Sequence, residues 1–325
     1  MRVSTVSISS LAQILSPELS QSIQRLDFSL DTWQRNPRIG DLLGKTVLSG
    51  GKRLRPLMTF MMADFFGIAH DQIEPYGRMI ELVHASTLAH DDVVDNADLR
   101  RGEPSINAIA TNKKAVLAGD YLLAYVLQEI ARSGRNDLVI EMASIIADLA
   151  EGEWLQIENS EKPDLSWQDI ELVALKKTGS VLRWCCAAPV LLAELNESFL
   201  LRARRLGEAI GIAFQLTDDI LDFKRRDGSE GADLKNRVVN AVIFEALCLE
   251  QGRDQLDMTT IQLIEPRETL EAAIQKVRGR VDQLVAEAQG LLLELASELK
   301  AQRGLGETAP LASLQSLVYF LAQRI

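Results

Sequence analysis

Apolar residues recur at the spacing of an amphipathic helix along most of this 325-residue chain. Strand-like alternation is hard to find, and aromatic residues make up only 5% of the chain. Helix starts are legible in Ser16-Pro17, a cap residue before a proline, and in the capping box of residues 166–169. The segment 270–300 is periodic and rich in charge, which predicts one or two surface helices. We therefore predict an all-α fold.

The predicted loops between these helices are short. The longest candidates, 96–105 and 225–236, are neither long enough nor biased enough in composition to act as domain linkers. Hydrophobic residues make up 47% of the chain, which suffices for a sizeable core. We predict one helical domain spanning residues 1–325.

The charge of the chain limits its partners. A net charge of −11 argues against nucleic acid, because phosphate backbones are bound by basic surfaces. The first residues, MRVSTVSISSLAQIL, hold no sustained apolar run, and no stretch approaches the roughly 18 apolar residues of a membrane helix. The three cysteines show neither disulfide nor zinc spacing. We expect a cytoplasmic protein without a transmembrane segment.

One pattern occurs twice: DDVVD at 91–95 and DDILD at 218–222. Asp91 and Asp95 are four residues apart, so on a helix they share a face, close to His84 seven residues earlier. The second motif contributes a similar stripe along its helix, formed by Gln215, Asp218 and Asp222. Stacked carboxylates repel one another, and Mg²⁺, which takes carboxylate and phosphate oxygens, would compensate.

The alternative is that these aspartates are solvated helix ends. Two chance DDxxD strings are expected in roughly one chain in three or four hundred of ordinary composition, so the pair favours a metal site. Calcium is less favoured, because no EF-hand spacing is present.

The string GGKRLRP at 50–56 gathers three cations after two glycines. Guanidinium groups suit bidentate phosphate recognition, and lysine adds a point charge. The glycine spacing excludes a P-loop. A basic surface loop is the alternative.

These strings, with HASTLAHDDVVDNADLRRG, KKTGS and FQLTDDILDF in the same order, resemble the trans-isoprenyl diphosphate synthase (polyprenyl synthetase) family from about residue 44 to 240. The resemblance implies a single-domain bundle of antiparallel helices around a central active-site cavity, usually as a homodimer. It also implies a prenyltransferase of isoprenoid biosynthesis that condenses isopentenyl diphosphate with an allylic diphosphate and depends on Mg²⁺.

The resemblance assigns roles position by position. The catalytic set comprises Arg100 and the aspartates of both motifs, Asp91, Asp92, Asp95, Asp218, Asp219 and Asp222. The metal ligands are Asp91, Asp92, Asp95, Asp218 and Asp222. Isopentenyl diphosphate is assigned to Lys52, Arg53, Arg55, His84 and Arg101, and the allylic diphosphate to Arg100, Lys177, Thr178 and Gln215. The chain departs from the family after the second motif, where GADLKNRVVNAV lacks a glycine-lysine pair and Arg237 is the candidate replacement.

The expected product length depends on the size of the residues just before the first aspartate motif. Short-chain relatives carry bulky aromatics four and five residues before the first aspartate, whereas this chain has Thr87 and Ser86. We expect an open tunnel and a medium- or long-chain all-trans product, unless Tyr121 or Tyr125 closes it. The alternatives are a short-chain (farnesyl or geranylgeranyl) synthase, a regulatory subunit of a heteromeric synthase, or a terpene cyclase, which would not need GGKRLRP.

Overall fold

The computed structural model describes residues 15–29, 36–100, 102–223, 238–259, 269–303 and 309–322, and most of them are helical. The predicted all-α fold is confirmed. The helices are α1 (Pro17–Gln24), α2 (Pro37–Lys45), α3 (Leu54–Phe66), α4 (His70–Val94), α5 (Ile106–Ile109), α6 (Asn112–Arg132), α7 (Asn136–Asn159), α8 (Trp167–Ala174), a π-helical segment (Leu175–Gly179), α9 (Ser180–Leu192), α10 (Glu197–Asp222), α11 (Ala241–Gln251), α12 (Leu270–Arg303) and α13 (Ala309–Ala322).

Helix starts follow the cap chemistry read from the sequence. Ser16 accepts a hydrogen bond from the Leu19 N–H at 3.1 Å, with Pro17 in the first turn of α1. The predicted capping box of α8 is confirmed. The Ser166 side chain accepts from the backbone N–H of Asp169, and the Asp169 carboxylate accepts from the backbone N–H of Ser166. Asn240 caps α11 with a single bond, accepting from the Ile243 N–H at 3.0 Å. These side chains replace the partners that the first backbone N–H groups of a helix lack.

Within the described residues, two pairs of very short strands interrupt the helical pattern. β1 (Leu99–Arg100) pairs antiparallel with β2 (Glu103–Pro104), inside the loop predicted at 96–105. β3 (Leu165–Ser166) pairs antiparallel with β4 (Gln255–Leu256) and ties the start of α8 to the end of α11. Two residues are too few to show the alternation by which strands are recognised in a sequence.

The central helices are α10 and α4. α10 packs against α9 on one side and α12 on another, while α4 packs between α3 and α6. Almost every side chain of α3 is buried, as expected of a helix that is apolar on all faces. The buried apolar side chains form one continuous cluster from Leu19 to Ala322. Among the described residues, no helix has the length and apolarity needed to cross a bilayer.

Ion pairs join the helices that border the cluster. Arg204 donates to the buried Glu141 at 2.5 Å, which links α10 to α7. Asp148 of α7 accepts from Lys176 at 2.6 Å and from Arg183 at 2.7 Å. Buried carboxylates are tolerated when they are paired in this way, so these contacts fix the π-helical segment and α9 against α7.

Candidate active site

The first aspartate motif closes α4. Asp91 is half-buried in the last turn and Asp95 is the C-cap residue, so the two lie one turn apart on one face. Burial, together with the Glu153 and Asp95 carboxylates, raises the pKa of Asp91 to about 6, although Lys177 acts to lower it. Burial, again with Glu153, also raises the pKa of Asp95. Burial is therefore the main reason why both carboxyl groups have raised pKa values, and Lys177 and Arg100 offset it only in part.

Asp92 points away from this pair. It is fully buried, and one carboxylate oxygen accepts from Arg100 Nε at 2.6 Å. The other accepts from the backbone N–H of Ile106, the first residue of α5, at 3.4 Å. Asp92 thus fixes Arg100 and the loop that leads to α5, and the sequence alone did not separate it from its metal-facing neighbours.

The second motif repeats this arrangement at the end of α10. Asp219 is buried, and its carboxylate accepts from Gln215 Nε2 at 3.0 Å and from the backbone N–H of Ala241, the first residue of α11, at 3.0 Å. Asp218 is half-buried and Asp222 is buried. The second aspartate of each motif therefore holds the start of a following helix.

The π-helical segment packs between α7 and α10, the helix of the second motif. Lys177 Nζ binds the Glu153 carboxylate and donates to Gln156 Oε1 at 3.0 Å, both on α7. Its charge also acts on Asp91 and Asp95. The next residue, Thr178, donates to Gln215 Oε1 at 2.8 Å on α10. Residues 177 and 178 thus connect α7 to the helix of the second motif, and the charge of Lys177 also acts on the first motif.

Glycines permit this close approach. A Cβ on Gly211 of α10 would lie 2.4 Å from the Cα of Gly179, and one on Gly152 of α7 would lie 2.8 Å from Lys177 Cγ. Real Cβ atoms do not approach other atoms so closely, so only glycine lets the helices touch here.

The three cations of GGKRLRP, at residues 50–56, lie in different environments. Lys52 is exposed, whereas Arg53 and Arg55 are partly buried at the start of α3. Arg53 donates to the Glu81 carboxylate at 2.9 Å. His84 is half-buried on α4, one turn after Glu81 and two turns before Asp91. The helix that ends in the first aspartate motif therefore also carries Glu81, which binds one of the cations of GGKRLRP.

The donor set fits a divalent cation that completes its shell with ligand oxygens. Among the described residues, no cluster of three or more His, Cys, Asp or Glu side chains could hold a metal by itself. Mg²⁺ commonly uses one or two carboxylates and takes its other oxygens from water and substrate phosphates. The Asp91 and Asp95 carboxylates, one turn apart on one face of α4, match that requirement.

Two predicted site residues, Arg101 and Arg237, lie outside the described residues. Three others were not predicted: Glu153, Gln156 and Glu81. Glu153 follows Gly152, and a glycine inside a helix signals a close approach, but nothing in the sequence identifies Lys177 as its partner.

The two small residues expected at the floor of the tunnel, Ser86 and Thr87, have different surroundings. Ser86 is fully buried, and its hydroxyl donates to the Gly119 carbonyl of α6 at 2.9 Å. It is therefore a packing residue between α4 and α6. Thr87 is half-buried and donates to the His84 carbonyl at 2.8 Å, on the face that leads to Asp91. Of the two small residues, Thr87 alone remains a candidate for the floor.

Comparison with known proteins gives a consistent result. The family model described as polyprenyl synthetase matches residues 36–278. A prenyl transferase of Porphyra purpurea is 31% identical over 286 residues, which is 85% of this chain and 87% of that protein. The chloroplastic solanesyl diphosphate synthase 2 of Arabidopsis thaliana is 28% identical over 334 residues, 98% of this chain and 78% of the relative.

Solved structures agree over nearly the whole chain. The crystal structure of a decaprenyl diphosphate synthase from Rhodobacter capsulatus superposes with a TM-score of 0.77 at 27% identity. The alignment covers 97% of this chain and 98% of the other. The helical arrangement described above is therefore shared with that enzyme.

Proposed function

The chain belongs to the polyprenyl synthetase family, and from this premise we propose that it condenses isopentenyl diphosphate with an allylic diphosphate to make a medium- or long-chain all-trans polyprenyl diphosphate. The observation that carries the proposal is the repeated aspartate motif, which ends both α4 and α10 and uses its second aspartate in the same way in each. The similarity to solanesyl and decaprenyl diphosphate synthases supports the product class.

Mg²⁺ is the proposed cofactor. Asp91 and Asp95 would hold it from α4, and Asp218 with Asp222 from α10. Bound there with the allylic diphosphate, Mg²⁺ supplies electrostatic stabilisation of the charge that develops on the leaving diphosphate. Asp92 supports this set by fixing Arg100 and the following loop.

The side chains around the aspartates bind and orient the allylic diphosphate. The charge of Lys177 lowers the pKa of both Asp91 and Asp95, and we propose Lys177 as a cation for a diphosphate held between the motifs. Thr178 and Gln215 share a hydrogen bond that fixes both side chains beside Asp219. Arg100, held by Asp92, adds a second cation. Positioned cations lower the cost of separating the diphosphate from the allylic carbon.

Isopentenyl diphosphate is assigned to the basic region formed by Lys52, Arg53, Arg55 and His84, with Arg101 as a further member. Its alkene attacks the allylic carbon, and one proton is then lost to restore a double bond. The departed diphosphate is the proposed base, so no dedicated histidine or glutamate is needed. The apolar helix faces exclude water, which would otherwise react with the allylic cation.

Arg237 is proposed to replace the family lysine that contacts the allylic diphosphate. An Arg237→Ala variant should then raise the KM for the allylic substrate more than the KM for isopentenyl diphosphate. An unchanged allylic KM would exclude this role.

A cytoplasmic homodimer, with each chain forming one domain, is the proposed assembly. Large apolar side chains are exposed on α6 and α7, where a second copy could cover them. They are Val116, Leu117, Ile140, Trp154 and Ile157. Size-exclusion chromatography with light scattering would test this state, and a monomer at micromolar concentration would contradict it.

The reaction itself is tested with the purified chain. We expect it to incorporate labelled isopentenyl diphosphate into extractable product when an allylic primer and Mg²⁺ are present, and to stop when EDTA removes the metal. A chain that is inactive alone and active only when mixed with a second synthase subunit would favour the regulatory alternative. Reaction of the primer alone to a cyclic hydrocarbon would favour the terpene cyclase.

A further inference from the structure

Arg53 is held more rigidly than a surface arginine. Its backbone adopts the left-handed conformation, with φ of 51°, which non-glycine residues adopt at a cost. Its guanidinium donates to Glu81 at 2.9 Å and to the Leu48 carbonyl at 2.6 Å. The same group stacks over the Phe28 ring, 4.3 Å from its centroid. A carboxylate, a carbonyl and an aromatic ring therefore fix one guanidinium.

Glu81 is the buried member of this set. Its side chain is 7% exposed, and Oε1 accepts from Arg53. Its second oxygen, Oε2, is buried and accepts no hydrogen bond from the described residues. Buried carboxylate oxygens normally accept hydrogen bonds. Packing alone therefore does not explain why a glutamate occupies position 81.

Glu81 also joins the basic region to the aspartate helix. It lies on α4 ten residues before Asp91, about 15 Å along the helix axis. Because α4 is one continuous helix, Glu81 and Asp91 keep a fixed separation. An arginine bound to Glu81 therefore has a fixed position relative to the first aspartate motif.

We propose that Glu81 is a positioning residue for isopentenyl diphosphate, which it serves by holding the Arg53 guanidinium. The assignment rests on the proposed function. A guanidinium has five N–H groups, and the described residues accept from two positions of Arg53, Nη1 and Nη2. The remaining N–H groups are available in a fixed direction for a diphosphate. Because the side chain is already ordered, it loses less conformational entropy when the ligand binds.

Isothermal titration calorimetry with isopentenyl diphosphate alone tests the assignment without turnover. The proteins are wild type, Glu81→Gln, Glu81→Asp, Arg53→Ala and the double variant Glu81→Gln/Arg53→Ala. Glu141→Gln is the matched control, because Glu141 is equally buried and also holds an arginine, but in the network between α7 and α10. Circular dichroism and melting temperature verify the fold of each variant.

Glu81→Gln should weaken binding of isopentenyl diphosphate at least fivefold, Glu81→Asp less, and Glu141→Gln less than twofold. In the Arg53→Ala background, Glu81→Gln should add almost nothing, because a positioning residue acts through the group it positions. Full additivity, an unchanged Kd for Glu81→Gln, an equal loss in Glu141→Gln, or a wild type that does not bind the ligand would each overturn the assignment. A wild type that binds isopentenyl diphosphate but makes no product would instead overturn the proposed reaction.

Discussion

The six aspartates of the two motifs divide into two kinds. Asp92 and Asp219, the second aspartate of each motif, are buried and accept from the first backbone N–H of a following helix. Each also binds a side chain, Arg100 for Asp92 and Gln215 for Asp219. The same string, repeated on α4 and α10, therefore produces the same local contact twice.

This division predicts different effects of substitution. Asp91→Ala, Asp95→Ala or Asp218→Ala should lower turnover by orders of magnitude without lowering the melting temperature. Asp92→Asn and Asp219→Asn should instead lower the free energy of unfolding by about 1–3 kcal/mol, because buried donors lose a charged acceptor. Steady-state kinetics and urea unfolding measure the two effects. Near-normal turnover in two of the three alanine variants would contradict the metal assignment.

The raised pKa of Asp91 gives a pH-dependent prediction. Because the folded pKa of about 6 exceeds the usual value of 3.8, the stability that this group contributes is present below about pH 4 and lost as pH rises through 6. In metal-free protein, Asp91→Asn should therefore melt at the same temperature as wild type at pH 4 and at a higher temperature at pH 8. Scanning calorimetry in EDTA measures the difference, and an equal difference at both pH values would refute the electrostatic cause.

At the residue scale, the motifs of the sequence point to the candidate site, but several contacts within it do not follow from them. The aspartates stand out in the sequence because two DDxxD strings in one chain are uncommon, whereas the role of Arg53 is implied by the resemblance to the family. Glu81 and Glu153 were missed because a single glutamate on a helix is ordinary. Their roles depend on partners that lie 28 and 24 residues away in sequence, Arg53 and Lys177, and only the fold brings them together.

At the scale of elements, the π-helical segment depends on α10. Gly211→Ala should displace the segment, because its Cβ would meet the backbone of Gly179 at 2.4 Å. We expect a loss of about 1–3 kcal/mol in the free energy of unfolding and a higher KM for the allylic substrate, since Lys177 and Thr178 would move. Gly290→Ala in α12 is the control.

Gly290 lies in a helix, and a Cβ added there would have no neighbour within 4 Å, so alanine should stabilise the protein by about 0.5–1 kcal/mol and leave the kinetics unchanged. Chemical denaturation and allylic KM values distinguish the two variants. A Gly211→Ala protein with wild-type stability and KM would show that the helices separate without affecting the site.

Helices, caps and the long α12 were predictable from periodicity and local chemistry. The π-helical segment was not, because one additional residue in a turn barely alters the apolar pattern of 167–192. The two-residue strands were not predicted either, since their pairing depends on residues distant in sequence, such as Leu165 and Leu256.

At the scale of the whole molecule, product length depends on what lies beneath the aspartates. Thr87 is half-buried one turn before Asp91, so a bulky side chain there would occupy the path of the growing chain. Thr87→Phe should shorten the product by one or more isoprene units, while Thr87→Val, which keeps the shape, should not. Chromatography of the dephosphorylated products measures their length, and an unchanged distribution for Thr87→Phe would place the floor elsewhere.

The most direct test of the central claim is the product profile of the wild-type chain. The purified protein is incubated with labelled isopentenyl diphosphate, Mg²⁺ and, separately, dimethylallyl, geranyl or farnesyl diphosphate. The product alcohols are then sized by reversed-phase chromatography. We predict Mg²⁺-dependent all-trans products longer than farnesyl from the single chain. Absence of elongation with every primer would contradict prenyltransferase activity, and termination at farnesyl diphosphate would contradict the open tunnel.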